Sequence, residues 1–194
     1  MTMSTKLIVT VDTEEEVLWS DTFKGSGNTV KNVQQIPAFQ SICENHGLAP
    51  VYLINSPVIE DKEACMLLRR ISDKYNCEIG AHIHPWNTPP VEENATSFRS
   101  YLCNLGPELQ FAKLEHITRA IENEFGHRPT SFRAGRYGLD NQGVRILRQL
   151  GYEVDSSVYP FTDYSEDGGP DFRGYPWQPY YLKASLAAAS TTNE

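Results

Sequence analysis

Short apolar runs alternate with amphipathic stretches along the chain, and this alternation predicts strands and helices in turn. The apolar runs are rich in β-branched residues and have the length of buried strands. They cover residues 7–12, 48–55, 77–82, 131–134 and 152–158. Stretches with apolar residues at helical spacing lie between them, at 37–47, 64–75, 107–126 and 140–151.

The order of strands and helices indicates parallel strands joined by crossover helices, so we predict an α/β fold with about five βα units. Closed barrels of parallel strands have about eight strands. The sheet therefore either stays open, or the chain stops before a barrel closes. We expect one domain over residues 1–194, with its core at about 5–160 and a loop-rich tail at 161–194.

An open sheet leaves an edge strand with unpaired backbone groups. Long exposed edges invite pairing with another chain. We therefore expect either a homo-oligomer or coverage of the edge by the tail.

Composition and charge narrow the class of protein. The net charge of −8 argues against a broad basic surface for nucleic acid or anionic lipid. The four cysteines form no C-x-x-C pair, which is typical of reduced thiols rather than a disulfide framework or a zinc–thiolate site. No apolar run approaches the ~18 residues of a spanning helix, and residues 1–6 hold no signal-peptide core. We expect a soluble, cytoplasmic protein without a nucleic-acid partner.

Two histidines end the third predicted strand. His82 and His84 are two residues apart, so an extended backbone points both side chains to one face. Pro85 cannot continue the strand, which puts both imidazoles at a carboxyl end, where α/β folds keep their chemistry. The pair is either half of a transition-metal site or a hydrogen-bonded structural pair.

Two other predicted strands also end in charged residues. The first strand runs into Asp12 and an acidic stretch that contains Glu14. Asp12 is either a base or ligand at the strand end, or part of a solvated loop or first helical turn. The fourth strand runs into residues 133–138, which are either a tight turn presenting cations to a polar group or an ordinary turn with surface arginines.

These strand ends, in this order and spacing, resemble the motifs of the polysaccharide deacetylases, the NodB-homology group also called carbohydrate esterase family 4. The segment Thr10 to Glu14 resembles the family's T-F-D-D motif, and His82 to Trp86 resembles its H-(S/T)-x-x-H motif. Arg133 to Gly138 resembles the third motif, and Asp155 to Ser157 a later one. The G-A-H-x-H-P-W segment is similar to the WalW-like branch, which is linked to lipopolysaccharide biosynthesis.

The resemblance implies a deformed (β/α) barrel, incomplete in this chain, and a divalent metal, usually zinc. Enzymes of the family remove acetyl groups from N-acetylated sugars, using water that the cation makes more acidic. Asp12 is implied as the general base, and Arg133 as the cation that keeps Asp12 ionised and oriented. The implied metal ligand is His82. The implied substrate contacts are Trp86, Arg136, Tyr137 and Asp155.

The chain also departs from the family pattern at the metal ligands. Thr13 stands at the position of the second metal carboxylate, so we assign Glu14 as the ligand, with Asp12 as the other possibility. Trp86 stands at the position of the second histidine, and His84 is the nearer candidate.

No histidine follows His127, although the family takes its general acid from a histidine near the end of the domain. The general acid is therefore absent or a different residue. This leaves a second hypothesis, a truncated or degenerate relative that acts as a carbohydrate- or metal-binding module. A third is a hydrolase of a non-sugar C–N bond, as in allantoinase-like members of the superfamily. We favour the enzyme, since an acid–His–His–Arg set is kept at three strand ends.

Overall fold

Five short parallel strands form the central sheet, and they pair in the order in which they occur along the chain. The structure is a computed structural model, and it describes residues 7–16, 23–91, 95–182 and 189–190. The strands are β1 (Thr10–Thr13), β2 (Val51–Ile54), β3 (Glu78–Ile83), β4 (Ser131–Ala134) and β5 (Val154–Asp155). Every neighbouring pair is parallel, which confirms the α/β arrangement that the alternating pattern predicts.

Helices connect successive strands of this sheet. They are α1 (Ile36–Asn45), α2 (Ser56–Glu60), α3 (Lys62–Lys74), α4 (Pro107–Phe125) and α5 (Asn141–Leu150). The side chains of Asp61 and Asp140 cap α3 and α5 by accepting a backbone N–H of the first turn. Gly126 ends α4 with φ of 80°, a left-handed conformation that glycine adopts without strain. The predicted ends of these helices therefore follow from capping residues in the sequence.

The two faces of the sheet have different neighbours. Ile54, Ala81 and Phe132 lie side by side in the strand register and belong to the apolar core that includes residues of α3, α4 and α5. The next row pairs His82 with Arg133. Because side chains alternate along a strand, this row points to the other face. The charged residues of β3 and β4 thus share the face turned away from the helices.

Helix α1 buries a different stripe from the apolar one seen in the sequence. Ile36 and Cys43 are buried, but Phe39 and Ile42 are 37% and 57% exposed. Gln40 is buried in their place, and its amide oxygen accepts a 2.7 Å hydrogen bond from the Tyr52 hydroxyl. The helical spacing of Ile36, Phe39, Ile42 and Cys43 in the sequence predicts that all four face the core. For Phe39 and Ile42 this prediction is wrong, and the hydrogen-bonded pair of Gln40 and Tyr52 is buried instead.

The tail contains two short strands that the sequence pattern did not indicate. They are β6 (Tyr181–Leu182) and β7 (Ala189–Ser190), and they pair with each other in a separate antiparallel sheet. In the described part of the chain, neither strand extends the five-stranded sheet. None of the described helices is both long enough and apolar enough to cross a lipid bilayer.

Candidate metal centre

Three side chains from two strand ends bring their ligand atoms to one point. Glu14 Oε2 lies 2.9 Å from His82 Nε2 and 3.1 Å from His84 Nε2. The two Nε2 atoms are themselves 3.1 Å apart. Among the residues that the structure describes, this is the group of histidine and acidic side chains that could hold a metal ion. The predicted ligands Glu14, His82 and His84 are thus brought together.

The sheet order explains why these residues meet. Strands β1 and β3 both flank β2, so their carboxyl ends lie at one edge of the sheet. His82 belongs to β3, His84 follows its last residue, and Glu14 follows the last residue of β1. Thr13, which stands at the family position of the second carboxylate, is buried, and its hydroxyl donates to its own strand. Glu14 therefore supplies the carboxylate of the cluster.

Hydrogen bonds on the far side of each imidazole fix which nitrogen carries the proton. His82 Nδ1 lies 2.9 Å from the Arg133 carbonyl oxygen, and His84 Nδ1 lies 3.0 Å from Glu15 Oε1. Both oxygens only accept, so each Nδ1 is assigned as the donor. When both rings are neutral, their Nε2 lone pairs point at each other and at the Glu14 carboxylate. Three acceptors at this distance repel unless a proton or a metal cation lies among them.

The donor set fits a divalent metal. One carboxylate oxygen and two imidazole nitrogens are typical zinc ligands, and a neighbouring carboxylate commonly orients a ligating histidine. Zinc bonds of about 2.1 Å place tetrahedral ligands roughly 3.4 Å apart. The separations among the three side chains are close to this value, so little movement is needed to admit a cation.

The electrostatics of the cluster favour positive charge. Burial raises the pKa of Glu14, but contacts with His82 and His84 outweigh it and lower the pKa from 4.5 to about 2. Burial lowers the pKa of His84, but Glu14 and Glu15 raise it from 6.5 to about 9. Contact with His84 also outweighs burial at Glu15 and lowers its pKa. Both carboxylates are therefore ionised at neutral pH and stabilise a cation between them.

Glu15 is a site residue that the sequence alone did not single out. Its side chain is buried, and Oε1 accepts a 2.7 Å hydrogen bond from Asn87 Nδ2 in addition to the bond from His84. Its other oxygen, Oε2, accepts from Asn55 Nδ2. Glu15 thereby fixes the orientation of His84. Its only sequence signal is its place beside Glu14, directly after a strand.

Trp86 and Gly135 pack against the ring of His84. The Trp86 ring stacks on His84 with centroids 4.3 Å apart and an angle of 16°. The centroid of the Phe23 ring lies 5.0 Å from that of Trp86. Trp86 is 8% exposed, so the structure places it as a wall of the centre, and its role as a substrate contact stays a prediction. A Cβ on Gly135 would collide with His84 Cδ2 and lie 2.6 Å from the Ile83 carbonyl oxygen.

Asp12 and Arg133 form an ion pair beside the cluster. Arg133 Nη1 donates to Asp12 Oδ1 at 2.6 Å, and Nη2 donates to Thr10 Oγ1 at 2.7 Å. The Arg133 carbonyl oxygen is also the partner of His82 Nδ1. Asp12 therefore contacts the guanidinium rather than the two imidazoles in the described contacts. The Asp12 side chain is 31% exposed, which leaves it accessible from solvent.

Arg136 and Tyr137 lie in a strained turn after β4. Both have positive φ, 52° and 59°, which is uncommon for residues other than glycine and costs of order 1–3 kcal/mol each. Arg136 donates to Ser100 Oγ at 2.5 Å and lies over the ring of Tyr101. The Tyr137 ring packs 5.1 Å from that of Tyr159. These contacts hold both side chains at the carboxyl edge, and their predicted substrate roles remain predictions.

Asp155 is not brought to the cluster by any described contact. Its register partner is Phe132, in the row that faces the apolar core, rather than Arg133. Its carboxylate accepts hydrogen bonds from the hydroxyl and backbone N–H of Ser157. Burial raises its pKa from 3.8 to about 6, against the effect of these bonds. A substrate contact by Asp155 stays a prediction, and its position favours a structural role.

Comparison with known proteins shows the fold. No family model and no curated protein matches the chain. Among solved structures, the chain is similar to the chitin deacetylase of the fungal pathogen Colletotrichum lindemuthianum, with a TM-score of 0.51, 17% identity, and 77% of this chain and 54% of that chain covered. It is also similar to IcaB from Ammonifex degensii, with a TM-score of 0.51, 12% identity, and coverage of 76% and 57%.

A third similar structure is a mutant with restored enzymatic activity of a CE4-family pseudoenzyme from Bacillus anthracis. Its TM-score is 0.52 at 16% identity, covering 82% of this chain and 47% of that one. The chain thus spans about half the length of the structures that it resembles. The predicted fold class is confirmed: the described residues form a parallel five-stranded α/β sheet, similar in fold to NodB-type structures of the CE4 family and with fewer strands than a closed barrel.

Proposed function

We propose that this protein is a metal-dependent hydrolase that removes acetyl groups from N-acetylated sugars of a polysaccharide or lipopolysaccharide precursor. The observation that carries the proposal is the convergence of Glu14, His82 and His84 on one point at the carboxyl edge of the sheet. The fold of the chain is also similar to that of a chitin deacetylase. Active sites of such parallel α/β folds lie at this edge.

The geometry suggests a role for each side chain. Glu14, His82 and His84 would hold a divalent cation, most simply zinc, which acidifies water and polarises an amide carbonyl when bound. Asp12 would accept the proton of the attacking water, as its carboxylate is fixed by Arg133 yet accessible. Arg133 keeps that carboxylate oriented and donates to it through a charge-assisted hydrogen bond.

A second candidate is a module that binds sugar or metal without turnover. One observation favours it: a solved structure with a similar fold is that of a CE4-family pseudoenzyme. Binding and turnover are separate measurements, so the two candidates can be distinguished.

The first test is metal content by elemental analysis of protein purified without chelator. We expect near-stoichiometric zinc or another divalent ion in the wild type, and its loss in His82→Ala, which removes one ligand. A matched control is His127→Ala, since His127 is exposed and outside the cluster. Wild-type protein that neither contains metal nor takes it up from micromolar solution would contradict the metallohydrolase.

Turnover is then measured as acetate release from N-acetylated oligosaccharides, beside a panel of non-sugar amides and cyclic ureides. Release from sugars that is lost in Asp12→Asn, with metal content unchanged, is expected of the deacetylase. Metal binding with no turnover on any substrate would favour the binding module, and turnover of non-sugar substrates alone would assign the third hypothesis.

A further inference from the structure

A buried lysine on α4 contacts the segment that follows His84. Lys113 is 1% exposed, and its Nζ donates to the carbonyl oxygens of Pro85, Thr88 and Pro90, each at 2.7 Å. An ammonium group has three N–H donors, and these three bonds match that number. Burying a charge costs several kcal/mol unless such bonds compensate it. A buried lysine at this position therefore indicates a role for its charge in addition to packing.

All three carbonyl groups belong to one segment, residues 85–90, which we call the His84 loop because it begins directly after His84. Three carbonyl oxygens directed at one point repel one another unless a cation or donor lies between them. The Lys113 ammonium supplies that charge from α4, a helix whose apolar side is packed in the core. It thereby links the path of the loop to a rigid element.

The His84 loop in turn makes two contacts that orient His84. Trp86 stacks on the imidazole ring. Asn87 Nδ2 donates at 2.7 Å to Glu15 Oε1, the same oxygen that accepts from His84 Nδ1. The loop is also closed on the histidine itself, since the backbone N–H groups of Asn87 and Thr88 both donate to the His84 carbonyl oxygen. A shift of this loop would therefore move both supports of one proposed metal ligand.

We propose that Lys113 is a positioning residue of the metal centre: by holding three carbonyl groups of the His84 loop, it sets Trp86 and Asn87 against His84 and Glu15. The inference rests on the proposed function for its metal readout, but not for its structural readout. Residues that orient metal ligands from outside typically change metal affinity 10–100-fold when replaced. The matching expectation for Lys113→Met is a metal affinity lower by roughly tenfold or more.

The structural readout is the fluorescence of Trp86 in metal-free protein. Trp19→Phe and Trp177→Phe together leave Trp86 as the one tryptophan, since the chain has three. In this background, Lys113→Met is expected to shift Trp86 emission to longer wavelength, because the released loop lets the ring leave His84 and meet water. The metal readout is Co²⁺ affinity by titration, with the cobalt absorption spectrum reporting ligand geometry.

Two controls separate positioning from general loss of stability. Ile121→Ala removes a fully buried side chain of the same helix and is expected to lower the urea midpoint of unfolding, while leaving Trp86 emission and Co²⁺ affinity unchanged. Lys62→Met removes an exposed lysine and should change neither property. Lys113→Gln keeps two N–H donors and should shift Trp86 emission in the same direction. If Lys113→Met does not fold, the emission of Lys113→Gln tests whether Lys113 positions the His84 loop.

Unchanged Trp86 emission in the Lys113 variants, or an equal shift in Ile121→Ala, would overturn the inference. A background protein that binds no Co²⁺ would instead contradict the proposed function, and the emission of Trp86 would still decide the role of Lys113. Shifted emission together with weakened Co²⁺ binding supports both.

Discussion

At the scale of single residues, the packing around His84 leaves the least room for substitution in the centre. Gly135 leaves no room for a side chain, because an added Cβ would meet His84 Cδ2 and the Ile83 carbonyl oxygen. Neither group can move away easily, since His84 is hydrogen-bonded to Glu15 and Ile83 belongs to β3. Overpacking of this kind typically costs about 1–3 kcal/mol.

We therefore predict that Gly135→Ala lowers the free energy of unfolding by about 1–3 kcal/mol and weakens Co²⁺ or Zn²⁺ binding at least several-fold. Urea denaturation and a chelator competition assay measure the two effects. Gly174→Ala is the matched control, because its Cβ would meet nothing within 4 Å. Metal affinity equal to that of the control variant would show that the imidazole does not depend on this contact.

Asp155 gives a prediction about pH. Its pKa in the folded protein, about 6, lies above the ordinary value of 3.8, because burial disfavours the carboxylate. Between these two values the folded state keeps a proton that the unfolded state releases. Stability therefore falls as pH rises from about 4 to 6, and the loss is complete above that range.

Asp155→Asn keeps an acceptor for Ser157 and removes the charge, so it should remove this loss. Relative to wild type, we expect the variant to gain about 2 kcal/mol in the free energy of unfolding between pH 4 and pH 7.5. Urea denaturation at both pH values measures the gain. Asp73→Asn, an exposed position on α3, is the control that should show no such change. An equal difference from wild type at the two pH values would contradict the raised pKa.

The residues also show what the sequence could and could not predict. Local signals in the sequence mark Glu14, His82 and His84: each lies at or just after an apolar run, and Pro85 marks the end of the strand that carries the histidines. Glu15 was not found, since its partners Asn55 and Asn87 are 40 and 72 residues away in the chain. Lys113 was missed for the same reason, because nothing in an amphipathic helix indicates three distant carbonyl groups.

At the scale of elements, one ion pair indicates that the sheet is curved. Arg133 on β4 contacts Asp12 on β1 at 2.6 Å, although two strands lie between them. In a flat sheet, strands three positions apart would be roughly 14 Å from each other. The sheet must therefore curl, as in a barrel, and long side chains on its inner face then bridge the remaining gap.

We predict that Asp12→Asn and Arg133→Gln are coupled by about 1–2 kcal/mol in a double-mutant cycle of unfolding, because the pair is partly shielded from water. Urea denaturation of the four proteins gives the coupling energy. The pair Arg69 and Glu124 is the control: its side chains are 46% and 39% exposed, and a coupling below about 0.5 kcal/mol is expected. Equal coupling in both pairs would mean that the sheet does not enclose the inner pair.

Strand identity was predictable from the sequence, whereas strand limits were not. The run 152–158 reads as a full strand, but β5 covers only Val154–Asp155, because hydrogen bonding depends on a partner and not on β-propensity. The short helix α2 and the hairpin of β6 and β7 lack a long periodic pattern and were therefore missed.

At the scale of the whole molecule, the described residues place no strand against the outer edge of β1. In the described part of the chain, β1 pairs with β2 alone, and the tail strands pair only with each other. Exposed apolar side chains lie close to β1 in the sequence. Leu7 and Ile8 precede β1 and are each 71% exposed, and Ile42, on the helix that follows β1, is also exposed. The sequence suggests two ways to cover such an edge, by the tail or by a second copy, and a measurement of self-association tests the second.

We predict that the 194-residue chain self-associates through this edge, because pairing would satisfy backbone groups of β1 and bury apolar surface. Each copy carries a net charge of −8, so repulsion opposes association and added salt should strengthen it. Sedimentation velocity over a range of protein concentrations, at low and high salt, measures the effect. Ile8→Lys should shift the population to monomer, whereas Met66→Lys, at an exposed position on α3, should not. A monomer at every concentration and salt level would show that the open edge is tolerated, as short edge strands sometimes are.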